Sequence, residues 1–361
     1  MARKRQKKGF RLWKLPLYLL GIVLLLAAGL LLFLTITEYR PPESEALVMS
    51  GGTARTLSPG DSFTLMSWNL GYGALGDNAD FFMDGGSGVI TADKARLESN
   101  LEGIWQGIQA VHPDILLTQE IDRPSRRSGN MDQVARLQQR LDGYTCAFAN
   151  NYKTAFVPYP WPPLGKVDSG MATFSSFAVN RSERRQLPIS FSWPVRLANL
   201  KRGLLVSRLP IQGSDKEVVI INLHLEAYDD GEGKIAQTKM LAQLLEQEAA
   251  QGHYVIAGGD FNQIFSTADA GKYPIQEGKW AAGKIDVSQI SGDWQFLMDE
   301  SLPSCRSLDQ PYKGADKSSF QYYLIDGYIV SGNLQVDYLG TQDLDFVCSD
   351  HNPVVLKLTL K

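Results

Sequence analysis

The sequence predicts one α/β or α+β domain, residues 61–361, behind a single membrane-spanning helix. Strand-like and helix-like hydrophobic periods alternate from Phe63 to the C-terminus, no long linker interrupts them, and 23 uncharged residues, Leu15 to Thr37, precede them. With 44% hydrophobic and 10% aromatic residues in 361, the chain can bury a large core, which excludes a disordered, collagen-like or disulfide-built protein.

Residues 1–14 form a basic segment, with Arg3, Lys4, Arg5, Lys7, Lys8, Arg11 and Lys14 and no acid. The uncharged stretch at 15–37 is long enough for a hydrocarbon core of ~30 Å. A cleaved signal peptide and an uncleaved signal anchor compete here. The small run Ala27-Ala28-Gly29 lies mid-stretch with Leu30 to Leu34 still to come, which favours the anchor. Positive charge before the span, and Glu38 and Glu43 after it, place the N-terminus in the cytoplasm and everything after Tyr39 outside. Residues 38–60, with Pro41-Pro42 and Gly51-Gly52, hold no sustained period and read as a stalk.

Phe63 to Trp68 alternates at period two, a strand. Leu97, Leu101, Ile104, Ile108 and Val111 mark an amphipathic helix that ends before Pro113. Ile115 to Leu117 reads as a buried strand, and Val134, Leu137 and Leu141 as a second helix. Val218 to Leu225 is a β-branched strand, and Ile235 to Ala250 a third helix closed by Gly252. Val255 to Ala257, Leu324 to Val330 and Val354 to Leu360 complete the strands.

Beyond Lys14 the chain carries a net charge of −10, a poor basis for non-specific polyanion binding. Cys146, Cys305 and Cys348 form no CxxC pair and are expected as small buried thiols without chemistry.

Polar residues that break the hydrophobic pattern recur at strand ends, where α/β folds place their sites. They are Asn69 before Gly71-Tyr72-Gly73, Glu120 after Thr118-Gln119, His224 in Asn222-Leu223-His224, and Asp260 and Asn262 in Gly258-Gly259-Asp260-Phe261-Asn262. Asp326 in Ile325-Asp326-Gly327 and Asp350-His351 in Ser349-Asp350-His351-Asn352-Pro353 complete the set. Singly, most have plain structural uses: a turn asparagine, a capping acid, a core histidine. Asp-x-Asn after paired glycines sets two short oxygen donors at one turn, a geometry suited to a hard cation and its water.

In this order, Ser-Trp-Asn, Gln-Glu, Gly-Asp-Phe-Asn and Ser-Asp-His-x-Pro-Val, the chain resembles the endonuclease/exonuclease/phosphatase superfamily from Asp61 to Lys361. The resemblance implies a four-layer α/β sandwich of two mixed sheets packed face to face with helices outside. It implies Mg²⁺, or Mn²⁺ in its place, held by Glu120 and Asp350 with Asn69 close by. Asp260 would orient or deprotonate the attacking water, Asn262 would hold that water or a phosphate oxygen, and His224 and His351 would donate to phosphate oxygens. Asp326 would fix the tautomer of His351.

Members of that superfamily cleave several phosphoesters, so the set does not choose a substrate. Inositol phosphatases of the superfamily carry a Trp-Cys-Asp-Arg strand where this chain has Leu324-Ile325-Asp326-Gly327-Tyr328, which demotes inositol phosphates. The insertion Asn151 to Gly170, with Tyr152, Phe156, Tyr159 and Trp161, reads either as a self-packed loop or as a substrate wall or lipid-facing patch. The loop Ala227 to Lys234, with Asp229, Asp230 and Glu232, would set acids near His224, against a nucleic acid. The expected partners are therefore the lipid bilayer and a phospholipid or other small phosphoester. A surface nuclease, for which Arg181, Arg184 and Arg185 are the nearest basic candidates, is the alternative, and an inactive binding module the third. The oligomeric state stays open.

Overall fold

The computed structural model describes residues 14–52, 55–229 and 231–361; the basic residues up to Arg11, and Asp230, lie outside the described residues. In chain order the elements are α1 (Leu15–Ile36), β1 (Ser44–Ala46), β2 (Met49–Ser50), β3 (Ser62–Asn69), α2 (Lys94–Val111), β4 (Ile115–Asp122), α3 (Gln133–Arg140), β5 (Thr145–Val157), β6 (Gly165–Ser175), β7 (Arg181–Gln186), β8 (Gly203–Pro210) and β9 (Glu217–His224). They continue with α4 (Glu232–Ala250), β10 (Tyr254–Asp260), β11 (Gln263–Phe265), β12 (Gly283–Ile285), β13 (Trp294–Leu297), β14 (Cys305–Arg306), β15 (Tyr322–Tyr323), β16 (Asp326–Ser331), β17 (Leu334–Thr341) and β18 (Val354–Leu360).

Two seven-stranded mixed sheets dominate, in the orders β1-β7-β8-β9-β10-β16-β13 and β17-β18-β3-β4-β6-β5-β2. Strand alternation builds the layers. On β9, Val218 and Ile220 point into the core between the sheets with Leu65, Leu117, Ile256 and Leu356. Val219 and Ile221 point the other way, against Leu241 and Leu245 of α4. On β3, Leu65 faces inward while Met66 and Trp68 face Ile104 and Ile108 of α2. Side chains alternate along a pleated strand, so a period of two with both phases apolar produces a sheet buried on both faces. The result is the four-layer sandwich, helix, sheet, sheet, helix. The apolar α1 precedes it, 22 residues or about 33 Å at the helical rise, long enough to cross a membrane.

Of residues 38–60, expected as a stalk, the described residues are instead built into the domain at several points. β1 pairs antiparallel with β7, β2 pairs with β5, and fully buried Leu57 bridges to Ile211. Strands of two and three residues are too short to display a period, so the sequence pattern passes over them. Asn151 to Gly170 is likewise no detached loop. β5 and β6 pair antiparallel along most of it, with register shifts between Asn150 and Tyr152 and between Thr154 and Val157, and only Pro158 to Leu164 forms the tip.

Candidate active site

Strand register assembles the site. In β9 and β10, which run parallel, His224 lies beside Asp260; in β10 and β16, which run antiparallel, Asp260 lies beside Asp326. Three polar strand-end residues therefore stand in one row. The other sheet brings Asn69 beside Gln119 at the adjoining ends of parallel β3 and β4.

Gly258 and Gly259 make the row possible. A Cβ at Gly258 would lie 2.4 Å from the Tyr328 ring, and one at Gly259, whose φ is +148°, would lie 2.0 Å from the Leu223 carbonyl oxygen. Glu120 sits at φ +47°, in the irregular stretch of β4 between its pairings at Thr118 and Ile121. A left-handed, non-glycine residue at a bulge re-aims its side chain, here into the cavity between the sheets' ends.

Asp260 accepts from Asn69 Nδ2 at 3.1 Å and from the Asn262 backbone N–H at 2.8 Å, with His224 Nε2 at 3.4 Å and His351 Nε2 at 3.8 Å. Asn262 Nδ2 donates to the Leu225 carbonyl at 2.9 Å. The far nitrogen of His351, Nδ1, lies 2.8 Å from Asp326 Oδ2. Trp68 Nε1 donates to the His351 carbonyl at 2.8 Å, and Ser349 Oγ to that of Asn69 at 2.7 Å, which ties the last loop to the end of β3.

The charges are unequal in environment. Burial, followed by the nearby Asp326 carboxylate, pushes Asp260 up to about 7. Asp350 is raised to about 6 by burial, with Glu120 adding like-charge repulsion. His351 is buried, yet Asp326 outweighs that burial and raises it well above an ordinary imidazole, so it stands as a cation. His224 is driven the other way by burial, Arg202 and His351, and is neutral. The two imidazoles therefore hold different protonation states within one site.

A divalent cation fits the Glu120 and Asp350 side. Asp350 is 7% exposed and crowded by a second carboxylate, a pairing that a cation relieves. Its Oδ1 also needs Gly71, since a Cβ there would come within 2.8 Å of it. Among the described residues, two geometric clusters of donors occur, Cys305 with Asp350 and His351, and Asp260 with Asp326 and His351. His351 is already bound as a cation to Asp326, and burial pushes the Cys305 thiol up to about 12, so hard oxygen donors are the better fit.

Asn69, Glu120, His224, Asp260, Asn262, Asp350 and His351 all line one cavity of 440 Å³, and Asp326 supports His351 from behind. Tyr152 and Tyr159 of the Asn151–Gly170 insertion join the wall, as the substrate-wall alternative expected, and most of the rest escaped the sequence reading. Buried Tyr72 presents a hydroxyl with no hydrogen-bond partner, and the Arg127 guanidinium lies 3.7 Å from its ring centre while making a two-pronged contact with Asp122. Phe82, Tyr228 and Trp280 add aromatic surface. Only a Tyr-Gly pair next to Asn69 could have signalled Tyr72; Arg127, Phe82, Tyr228 and Trp280 come from connecting segments that show no pattern.

The family model described as Endonuclease/Exonuclease/phosphatase family matches residues 66–296. The chain belongs to this family. Its members are hydrolases of phosphoesters that generally use divalent cations, and the acidic and histidine groups here can hold one. Among solved structures, the chain is similar to an endonuclease/exonuclease/phosphatase from Beutenbergia cavernae DSM 12333, at 20% identity and TM-score 0.53, covering 83% of this chain and 72% of that one. A Bacteroides vulgatus endonuclease/exonuclease/phosphatase matches at 15% identity and TM-score 0.51, covering 83% of this chain and 100% of that one. TDP2 of D. rerio, complexed with single strand DNA product, matches at 14% identity and TM-score 0.51, covering 82% and 99%. These likenesses establish the shared fold. No curated protein matches the sequence.

Proposed function

We propose that the chain is a metal-dependent phosphodiesterase or phosphatase, anchored by α1 with its catalytic domain outside the membrane, and acting on a phospholipid or another small phosphoester. The observation that carries the substrate class is the cavity wall. Tyr72, Phe81, Phe82, Met83, Tyr152 and Trp280 surround the polar strand-end row with apolar surface, which supplies the contact an acyl or other apolar group uses.

The residues divide the chemistry between them. Asp260, poised near neutrality and held by Asn69 and the Asn262 N–H, takes the proton of the attacking water. The His351 cation donates to a non-bridging phosphate oxygen, and Asp326 fixes its ring and balances its charge. Neutral His224 offers a donor without adding charge, and Asn262 restrains the water. Glu120 and Asp350, with Asn69 beside them, would hold Mg²⁺ or Mn²⁺, which when bound neutralises charge building on the phosphate and the leaving oxygen.

The basic candidates for nucleic-acid binding do not form a groove. Arg184 is buried, with its guanidinium donating to the Asn150 and Lys201 carbonyls, Arg185 is held by Glu183 at 2.8 Å, and Arg181 lies 3.5 Å from Glu217.

A base with this elevated pKa is protonated at low pH, so kcat/KM should fall as pH drops through about 7, instead of near the ~4 of an ordinary carboxylate. A pH–rate profile at saturating metal checks this. The substrate reading is tested by comparing kcat/KM of the full chain in detergent on short-chain phospholipids, small phosphodiesters and single-stranded DNA at several salt concentrations. Preference for the lipid or small ester supports it. Far more efficient DNA cleavage, with affinity falling steeply as salt rises, overturns it in favour of a surface nuclease.

A further inference from the structure

The stretch between Ile189 and Arg202 serves two structures at once. Phe191, Ala198, Asn199 and Leu200 line the cavity. Trp193, Arg196 and Lys201 hold the C-terminal end of α1. Lys201 Nζ donates to a Glu38 carboxylate oxygen at 2.9 Å and to the Tyr39 carbonyl at 2.6 Å; Arg196 Nε donates to the same carboxylate at 3.2 Å. The Trp193 indole N–H lies 3.5 Å from Thr35 Oγ1, one residue short of the end of α1. The Lys201 and Glu38 side chains are 4% and 3% exposed, so this is a buried ion pair that resists opening, unlike a solvated one.

The segments that supply lining residues also expose apolar and aromatic surface: Trp161 at 87% and Tyr159 at 70% between lining residues Val157 and Leu164, and Val195 at 57% and Trp193 at 52% between Phe191 and Ala198. Tyr159 lines the cavity and packs edge-on to Phe82, so the exposed rim is continuous with the interior wall. Indole and phenol rings partition to the headgroup zone of a bilayer, where the ring is desolvated and its polar atom stays wet. The occupant is indicated by the chain itself. Only residues 37–43 separate α1 from β1, which is paired into the domain, and the Glu38 and Tyr39 contacts hold that short link against the 189–202 stretch.

We propose that the Glu38–Lys201–Arg196 lock seats the cavity mouth on the outer surface of the bilayer that α1 crosses, with Tyr159, Trp161, Trp193 and Val195 in the headgroup zone. The inference rests on reading α1 as a membrane span and the site as a phosphoesterase. A lipid headgroup then reaches the strand-end row while its chains remain in the membrane and pass along the aromatic wall. The orientation replaces a random encounter by a fixed one and raises the local concentration of lipid at the site.

The test uses the full chain, one copy per phosphatidylcholine nanodisc, in a Cys348→Ser background, since Cys146 and Cys305 are buried. An environment-sensitive fluorophore is placed at Trp161→Cys or at Asp215→Cys, the latter exposed at the opposite end of β9 from His224, and lipids with a headgroup-proximal spin label serve as quencher. The label at 161 should be quenched at least ~3-fold more than that at 215. The double variant Glu38→Ala/Lys201→Met removes both buried charges together and so leaves neither unpaired. It should lower quenching at 161 and slow hydrolysis of bilayer lipid by about 10-fold, with turnover of a water-soluble phosphodiester unchanged. Equal quenching at the two positions, or quenching at 161 that the double variant leaves intact, overturns the lock. Quenching that appears only with two copies per disc assigns the rim to self-association and overturns it as well. Strong quenching at 161 that the double variant abolishes, without turnover of any phosphoester, supports the orientation and removes the substrate reading alone.

Discussion

Asp260→Asn should lower kcat by at least ~10²-fold while the chain stays folded. The asparagine keeps the shape and can still accept one hydrogen bond, from Asn69 Nδ2 or from the Asn262 N–H, but it cannot take a proton from water. The expected sign on stability is the opposite of that on activity. Burial holds the Asp260 pKa above its unfolded value, so the charged form costs folding free energy at and above neutral pH, and a neutral replacement removes that cost. Sites built for chemistry commonly trade stability in this way. Steady-state rates on a soluble phosphodiester, with thermal unfolding of the same samples, check both halves. Near wild-type turnover in a folded variant would remove Asp260 from the role of base.

The second large effect concerns the cation. Glu120 holds a left-handed backbone conformation that costs on the order of 1–3 kcal/mol in a residue with a side chain, a strain that persists only where the surroundings impose it. Its carboxylate helps to raise Asp350 to about 6, so without a cation the site carries unrelieved repulsion. Chelation should abolish turnover, and Mg²⁺ or Mn²⁺ should restore it. Glu120→Gln should raise the Mg²⁺ concentration for half-maximal rate by at least ~10-fold, because one of two charged oxygen donors is lost. Rate measured against free Mg²⁺ for both proteins reads the shift; superimposed curves would place the cation elsewhere.

The sequence showed what it did because different parts of the molecule write different amounts of themselves locally. β3, β9 and β18 were legible since both phases of their period-two pattern are apolar or end in a polar residue. α2 was legible from its 3–4 spacing, and even its stop is local, with His112 in a left-handed cap before Pro113. The eight candidate residues were legible because each is a polar break at or near a strand end within a short motif, and register carries His224, Asp260 and Asp326 into one row. β1 and β2 were not, because a strand of two or three residues takes its identity from the partner it meets across the sheet. The same holds for the Glu38–Lys201 pair, separated by 163 positions: each residue alone reads as an ordinary charge, and only the closed fold shows the burial that makes them a joint. Tyr72 and Arg127 stayed invisible because a cavity wall drawn from loops has no period.

The central claim is that the strand-end residues form one metal-dependent phosphoesterase centre. Its most direct test is the hydrolysis of a water-soluble phosphodiester by the full chain in detergent, measured in excess Mg²⁺, in EDTA, and in EDTA overcome by Mn²⁺, for wild type and Asp260→Asn side by side. The account predicts turnover by wild type in Mg²⁺, none in EDTA, recovery in Mn²⁺, and at least a ~10²-fold lower rate for the variant in either metal. Undiminished wild-type turnover in EDTA, or equal rates for the two proteins in Mg²⁺ or Mn²⁺, would contradict it.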